Sequence, residues 1–152
     1  MSIILLGIMK YECIAQSTER VERWKVYAEA KEYAKNTGKP MLVVGLPKTT
    51  LSHGFLEEGC GDICIDIDQR VLEVSIEAEG KVADVRNIPY SDKYFSSAFC
   101  SHTLEHLNTI DDCEVAVSEL RRVADKVFIV SPHKWALSAW FNPEHHLWIS
   151  ED

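Results

Sequence analysis

Apolar positions in this chain gather into short continuous runs separated by polar, helix-forming stretches. Met41-Leu-Val-Val-Gly45 follows Lys39-Pro40 and is closed by Gly45. Asp62–Ile67, Ser96–Ser101 and Lys126–Ser131 repeat the theme, with a shorter run at Lys81–Asp84. A run apolar at consecutive positions suits a strand buried on both faces, as in a parallel sheet. Between the runs lie amphipathic stretches. Thr18–Thr37 places Val21, Trp24 and Ala28 on one side against Glu and Lys/Arg elsewhere, with Ser17 or Thr18 to cap its start and Gly38 to end it. Gln69–Ala78 is expected to be helical. So is Asp111–Val123, with Val115, Leu120 and Val123 apolar and Asp111 and Asp112 at its positive end. Strands alternating with helices predict an α/β fold, a Rossmann-like three-layer sandwich whose mostly parallel sheet has about five strands.

The 152 residues are expected to form a single domain: an apolar segment 1–17, a leading helix 18–38, the Rossmann-like core 39–131 and an aromatic and His-rich tail 132–152. Sixteen basic against 24 acidic residues give a net charge of −8, and no basic tract interrupts the acidic balance. Phosphate neutralisation needs clustered Lys and Arg, so no nucleic-acid partner is expected. The segment Met1–Met9 is apolar but too short to span a bilayer and lacks a small-residue cleavage site, so it is expected to be an extra strand or a packing segment. Five cysteines, Cys13, Cys60, Cys64, Cys100 and Cys113, make no Cys-x-x-Cys pair. An odd set without a secretory signal predicts reduced thiols and a cytoplasmic location.

Carboxylates recur where strands stop: Asp66 and Asp68 after the second, Asp84 after the third. At such a position a carboxylate can accept two hydrogen bonds from a ribose diol or one from an exocyclic amine. Beyond Asp84 come an Ile88-Pro89-Tyr90 turn, the strand Ser96–Ser101 and the step Ser101-His102 toward Thr103-Leu-Glu-His106. This order of parts suits a nucleotide-shaped ligand at the carboxyl ends of parallel strands.

From Lys81 to Leu107 the chain resembles the class I S-adenosylmethionine-dependent methyltransferases, in particular the small-molecule branch called methyltransferase domain 11. Their pattern here is an Asp, a Leu/Ile-Pro-Phe/Tyr turn, a Phe, an apolar strand, then Ser-His-x-Leu-Glu-His. The resemblance extends over about residues 39 to 149, with Met41–Gly45 as first strand, Ile63–Asp66 as second, and Glu119-Leu-Arg-Arg-Val123 with Val127-Phe-Ile-Val130 as the later helix and strand. It implies S-adenosyl-L-methionine as cofactor and a small-molecule methyl acceptor. Asp66 would bind the ribose hydroxyls, Asp84 the adenine amine with the backbone of Val85 near the ring, and Cys100, Ser101 and His102 the methionine and methyl end. Gly45 would mark the turn beneath the methionine moiety. His102 or His133 would accept the proton of the attacking group.

Three departures from the family pattern stand out. After Gly45 come Leu46-Pro47-Lys48-Thr49-Thr50 in place of a glycine-rich turn, which Gly54 or Gly59-Cys60-Gly61 would have to replace. Only Ala124-Asp125 precedes the fifth strand, and the usual C-terminal strand hairpin is absent. The exposed sheet edge then needs cover from Met1–Met9, the aromatic tail or the partner of a homodimer. A methyltransferase-like binding or scaffold protein without turnover, and a Rossmann-like domain for another nucleotide, remain as rival readings.

His102 and His106 are four apart, but His-Thr-Leu-Glu-His is not the His-Glu-x-x-His order of zinc proteases, and His145-His146 are adjacent. No metal site is expected, and Glu105 is read as a brace for the helix start. Trp135, Trp140, Phe141 and Trp148 suit a lid over an apolar substrate or a cover for the sheet edge.

Overall fold

A computed structural model of the chain describes residues 3–45, 61–73, 78–132 and 140–147, with the backbone alone for 3–17 and 71. The order of elements is α1 (Ile3–Thr37), β1 (Met41–Val44), β2 (Ile63–Asp66), α2 (Gln69–Leu72), β3 (Glu79–Val82), β4 (Phe95–Ser101), a 3-10 turn (Leu104–His106), α3 (Ile110–Val123) and β5 (Ala124–Val130). The five strands form one sheet in the order β3-β2-β1-β4-β5, and all four pairings are parallel.

The two central strands are buried at every position, which is why their sequences are apolar or small throughout. Period-two alternation divides their side chains between two cores. Leu42, Val44, Ala98 and Cys100 meet Ala116, Leu120 and Val123 of α3, whereas Met41, Val43 and Phe99 meet Tyr27, Ala30 and Ala34 of α1. Tyr27 stacks edge-on against Phe99 with ring centroids 5.3 Å apart. The buried Ser97 hydroxyl donates to the Ala30 carbonyl at 2.9 Å, so the polar side chain in this strand fastens helix to sheet.

Three sequence expectations change. Helix α1 runs unbroken from Ile3, so of the two uses expected for the first nine residues, extra strand or packing segment, the strand is not formed, and Ser17 and Thr18 lie inside the helix instead of capping it. The face of α1 that packs is Tyr27, Ala30 and Ala34, while Val21 is 52% and Trp24 43% exposed. In α3 the buried positions are Ala116, Leu120 and Val123, with Val115 left at the surface. Of the helix expected over 69–78, the described part covers 69–72.

The ends of the elements follow ordinary capping chemistry. The Gly38 N–H donates to Ala34 O to close α1. Thr109 caps α3 by accepting from the Asp112 N–H, with Asp111 and Asp112 in the first turn. No loop separates α3 from β5: Ala124 both caps the helix and starts the strand. Lys93 crosses this junction, its ammonium donating to the carbonyls of Arg121 and Ala124 at 2.6 and 2.7 Å. The Ile88-Pro89-Tyr90 turn is clamped by α3. Glu119 accepts from the Ile88 N–H, and Arg122 donates to the carbonyls of Ile88 and Tyr90. Arg122 also donates to both Glu119 oxygens at 2.7 and 2.8 Å, which holds that carboxyl below its ordinary pKa.

Candidate functional site

Strand order reverses between β1 and β4, and the carboxyl ends of the strands there open into a cavity of about 660 Å³. Crevices at such a reversal are where α/β sheets hold ligands, and this volume is that of a small-molecule site. Gly45, Asp66, Asp84, Val85, Ser101 and His102, six of the residues read from the sequence as ligand contacts, line it together.

Gly45 follows β1 with φ 72°, and its N–H donates to Ile65 O at 2.9 Å. A Cβ at this position would stand 2.5 Å from Thr103 Oγ1, so only glycine lets β1 and the β4 loop close together here. The other described candidate for a glycine turn, Gly61, is not at the cavity. It precedes β2 at the opposite end of the sheet, where a Cβ would press on Met41 O and Val43 Cγ2 at 2.9 Å.

Asp66 ends β2 and shapes the turn after it by accepting the Asp68 N–H at 2.8 Å. Asp84 follows β3 and is heavily engaged. Its two oxygens accept from the Arg86 N–H, Nε and Nη2 at 2.6 to 3.1 Å, and Arg86 Nη1 reaches Asp112 at 2.7 Å. The guanidinium holds the carboxyls of Asp84 and Asp112 below their usual values and has its own pKa raised.

Along β4 the alternation separates neighbours. The Cys100 side chain belongs to the core beneath the cavity, 1% exposed, where burial pushes its thiol pKa up to about 12. It does not line the cavity, contrary to the sequence reading. Ser101, one residue on, does, and its hydroxyl is buried without a hydrogen-bond partner among the described residues. His102 then adopts φ 52°, a left-handed conformation uncommon for residues other than glycine, while its N–H donates to Val130 O at 2.9 Å. Its ring stands between two carboxylates, Nε2 3.1 Å from Glu19 of α1 and Nδ1 3.4 Å from Glu105. His133 lies outside the described residues, as do Leu46–Thr50, Trp135 and Trp148.

The sequence reading missed the walls that come from afar. Arg23 of α1, Thr103, His106, Asn108 and Glu144 also face the cavity. Arg86, two residues after Asp84, carried a local signal, since an Asp-x-Arg step can close on itself. Glu105 does not brace the helix start: it is 2% exposed, and both its oxygens lack a hydrogen bond among the described residues. Of the tail aromatics, Trp140 is 61% and Phe141 81% exposed.

A parallel sheet in this order, with carboxylates after β2 and β3 and a glycine after β1 on one cavity, defines a Rossmann-like α/β domain. Residues 42–127, more than half of the chain, match the family model described as methyltransferase domain, and the chain belongs to that family. Among solved structures it resembles a SAM-dependent methyltransferase from Archaeoglobus fulgidus. Identity is 20% and the TM-score 0.62 over 97% of this chain and 68% of that one. A candidate methyltransferase from Bacillus halodurans follows at 19% identity and TM-score 0.53, covering 79% and 61%. A SAM-dependent methyltransferase from Methanosarcina mazei shows 16% identity and TM-score 0.44, covering 57% and 48%. The chain thus spans about half the length of several proteins it resembles, 40% in the case of the [4+2]-cyclase SpnF. No curated protein matches it significantly. Among the described residues no helix is long and apolar enough to cross a membrane.

Proposed function

We propose that the cavity binds S-adenosylmethionine and that the chain transfers its methyl group to a small-molecule acceptor. The observation that carries this reading is the meeting of Gly45, Asp66 and Ser101 on one cavity in a chain of the methyltransferase domain family. The donor set suits the group: a turn where a Cβ would not fit, a carboxylate at the end of β2 for a ribose diol, and a buried hydroxyl lacking a partner among the described residues. When bound, the cofactor supplies a methyl carbon on a sulfonium sulfur, open to displacement by an acceptor lone pair. The protein's part is alignment and proton handling. His102 is the base of the proposal: it lines the cavity, and its ring is held there between Glu19, 3.1 Å from Nε2, and Glu105, 3.4 Å from Nδ1.

One observation favours a second reading, a domain that binds a ligand without turnover. Arg86 occupies the Asp84 carboxylate that the resemblance assigns to the adenine amine. Titration with S-adenosylhomocysteine by calorimetry tests the first half of the proposal. Binding is expected, and Asp66→Ala should weaken it by about 1–3 kcal/mol as charged hydrogen bonds are lost. Asp84→Ala should weaken it less, because its partner is already within the protein. No heat at millimolar ligand overturns the cofactor assignment. Binding with no methyl transfer to any of a panel of thiols, amines and hydroxy acids favours the second reading.

A further inference from the structure

We infer that Glu105, His106 and His145 form a site for one divalent ion of the zinc class beside the cavity. Each residue offers one ligand atom, and the three atoms lie within 4.8 Å of one another. Two imidazoles and a carboxylate are the donor set of open zinc sites, which leave a coordination position for water or substrate.

The independent mark of the site is Glu105. Its side chain is 2% exposed, and among the described residues neither oxygen receives a hydrogen bond. His102 Nδ1 stands 3.4 Å from Oε1 without the alignment of a hydrogen bond. A buried carboxylate with no hydrogen bond, its titratable neighbour the His102 ring at 3.4 Å, is costly, and a bound cation lowers that cost.

The histidines are set for the same task. His106 Nδ1 lies 3.0 Å from the Glu144 carbonyl oxygen. A carbonyl only accepts, so Nδ1 carries the proton and Nε2 presents a lone pair, the arrangement that orients ligating histidines. The His145 ring stands edge-on to His106, with centroids 4.9 Å apart at 80°. Backbone contacts hold the tail in place: the N–H groups of His146 and Leu147 both donate to the carbonyl of Glu105, at 2.7 and 3.2 Å. The residue that supplies the carboxylate therefore also anchors the segment that supplies the second imidazole. Glu144 is tied to Asn142 Oδ1 at 3.1 Å, and the His145 N–H to Asn142 O at 3.2 Å.

His106 also lines the cavity, so an ion held here would face whatever enters it. On the methyltransferase reading, the open position would take a heteroatom of the acceptor; that clause alone rests on the proposed function.

The test is zinc alone, titrated by calorimetry into the full chain after chelator treatment and desalting, with no cofactor present. One ion per chain should bind with micromolar or tighter affinity, and zinc should raise the melting temperature. His106→Ala and His145→Ala should each weaken binding at least about a hundredfold, with an unchanged circular dichroism spectrum. The adjacent His146→Ala, outside the cluster, should bind as the unaltered chain does. Absence of saturable binding overturns the inference. So does equal loss in His145→Ala and His146→Ala, which would mark nonspecific capture by the His-rich tail. Because zinc is measured without S-adenosylhomocysteine, failure here and failure of the cofactor assignment are read in separate cells.

Discussion

The two ends of the sheet are built to different standards. At the amino ends of the strands, polar groups find partners. Asp62 accepts from the Met41 N–H at 2.7 Å, the Ser96 hydroxyl donates to Lys39 O, and Lys39 pairs with Asp125 at 2.8 Å. At the carboxyl ends, the Ser101 hydroxyl and both Glu105 oxygens have no hydrogen bond among the described residues. Partnered groups hold a fold; buried groups without hydrogen bonds weaken it and stand where the cavity opens. The difference teaches that the polar groups of the amino edge tie the fold together, while the carboxyl edge, where the cavity opens, keeps buried polar atoms without hydrogen bonds beside the Asp84–Arg86–Asp112 network.

That contrast can be broken experimentally, beginning with the packing common to both ends. Phe99→Ala removes a fully buried ring from the α1 side of the sheet and should cost about 3–5 kcal/mol in urea denaturation. A loss under about 1 kcal/mol would mean that α1 does not pack as described. Gly45→Ala should cost about 1–3 kcal/mol, through its positive φ and the Thr103 hydroxyl in its way, and should abolish S-adenosylhomocysteine binding. Adding Thr103→Ala should return part of the stability, and its failure to do so would refute the clash. Ser97→Ala unties a buried hydroxyl from α1 and should cost about 1–2 kcal/mol.

Acid should then loosen the carboxylate network. Asp84, Asp112 and Glu119 titrate below their ordinary values because Arg86 and Arg122 bind their charged forms. Their contribution is present above the unfolded values near about 4 and is lost as pH falls through the lower native ones. Arg86→Ala should flatten the Asp84 and Asp112 part of that dependence between neutral pH and acid, as read by melting temperature. The smallest expected change is Ser101→Ala, within about 0.5 kcal/mol in stability because no hydrogen bond is lost, yet with weakened S-adenosylhomocysteine binding. A large stability loss there would erase the distinction between the two ends.

Much of this was legible before any coordinates. The strands announced themselves because parallel strands covered on both faces leave little room for polar residues. Asp66, Asp84 and Ser101 could be named because the carboxyl ends of such strands converge, and Gly45 because the family resemblance implies it. What escaped had physical causes. Val21-Trp24-Ala28 and Tyr27-Ala30-Ala34 both recur at helical spacing, and the sheet chose the stripe rich in small alanines that lets the helix approach closely. Ser17 and Thr18 resemble caps, but cap residues also sit inside a helix continued on both sides. Cys100 was placed in the site by its position in the motif, whereas alternation along β4 turns it into the core. Arg23, Glu144 and His145 belong to no local pattern at all; tertiary contact alone brings them to the cavity and its neighbourhood.

Helix α1 and the 142–147 turn both lie outside residues 42–127, yet Arg23, Glu19 and Glu144 come from them. A fragment cut to the matched span would lose these flanks and expose Val43 and Phe99, which Tyr27 and Ala30 now shelter. Trimming the domain to its recognisable centre would therefore remove two walls of the cavity and leave an oily sheet face bare to water.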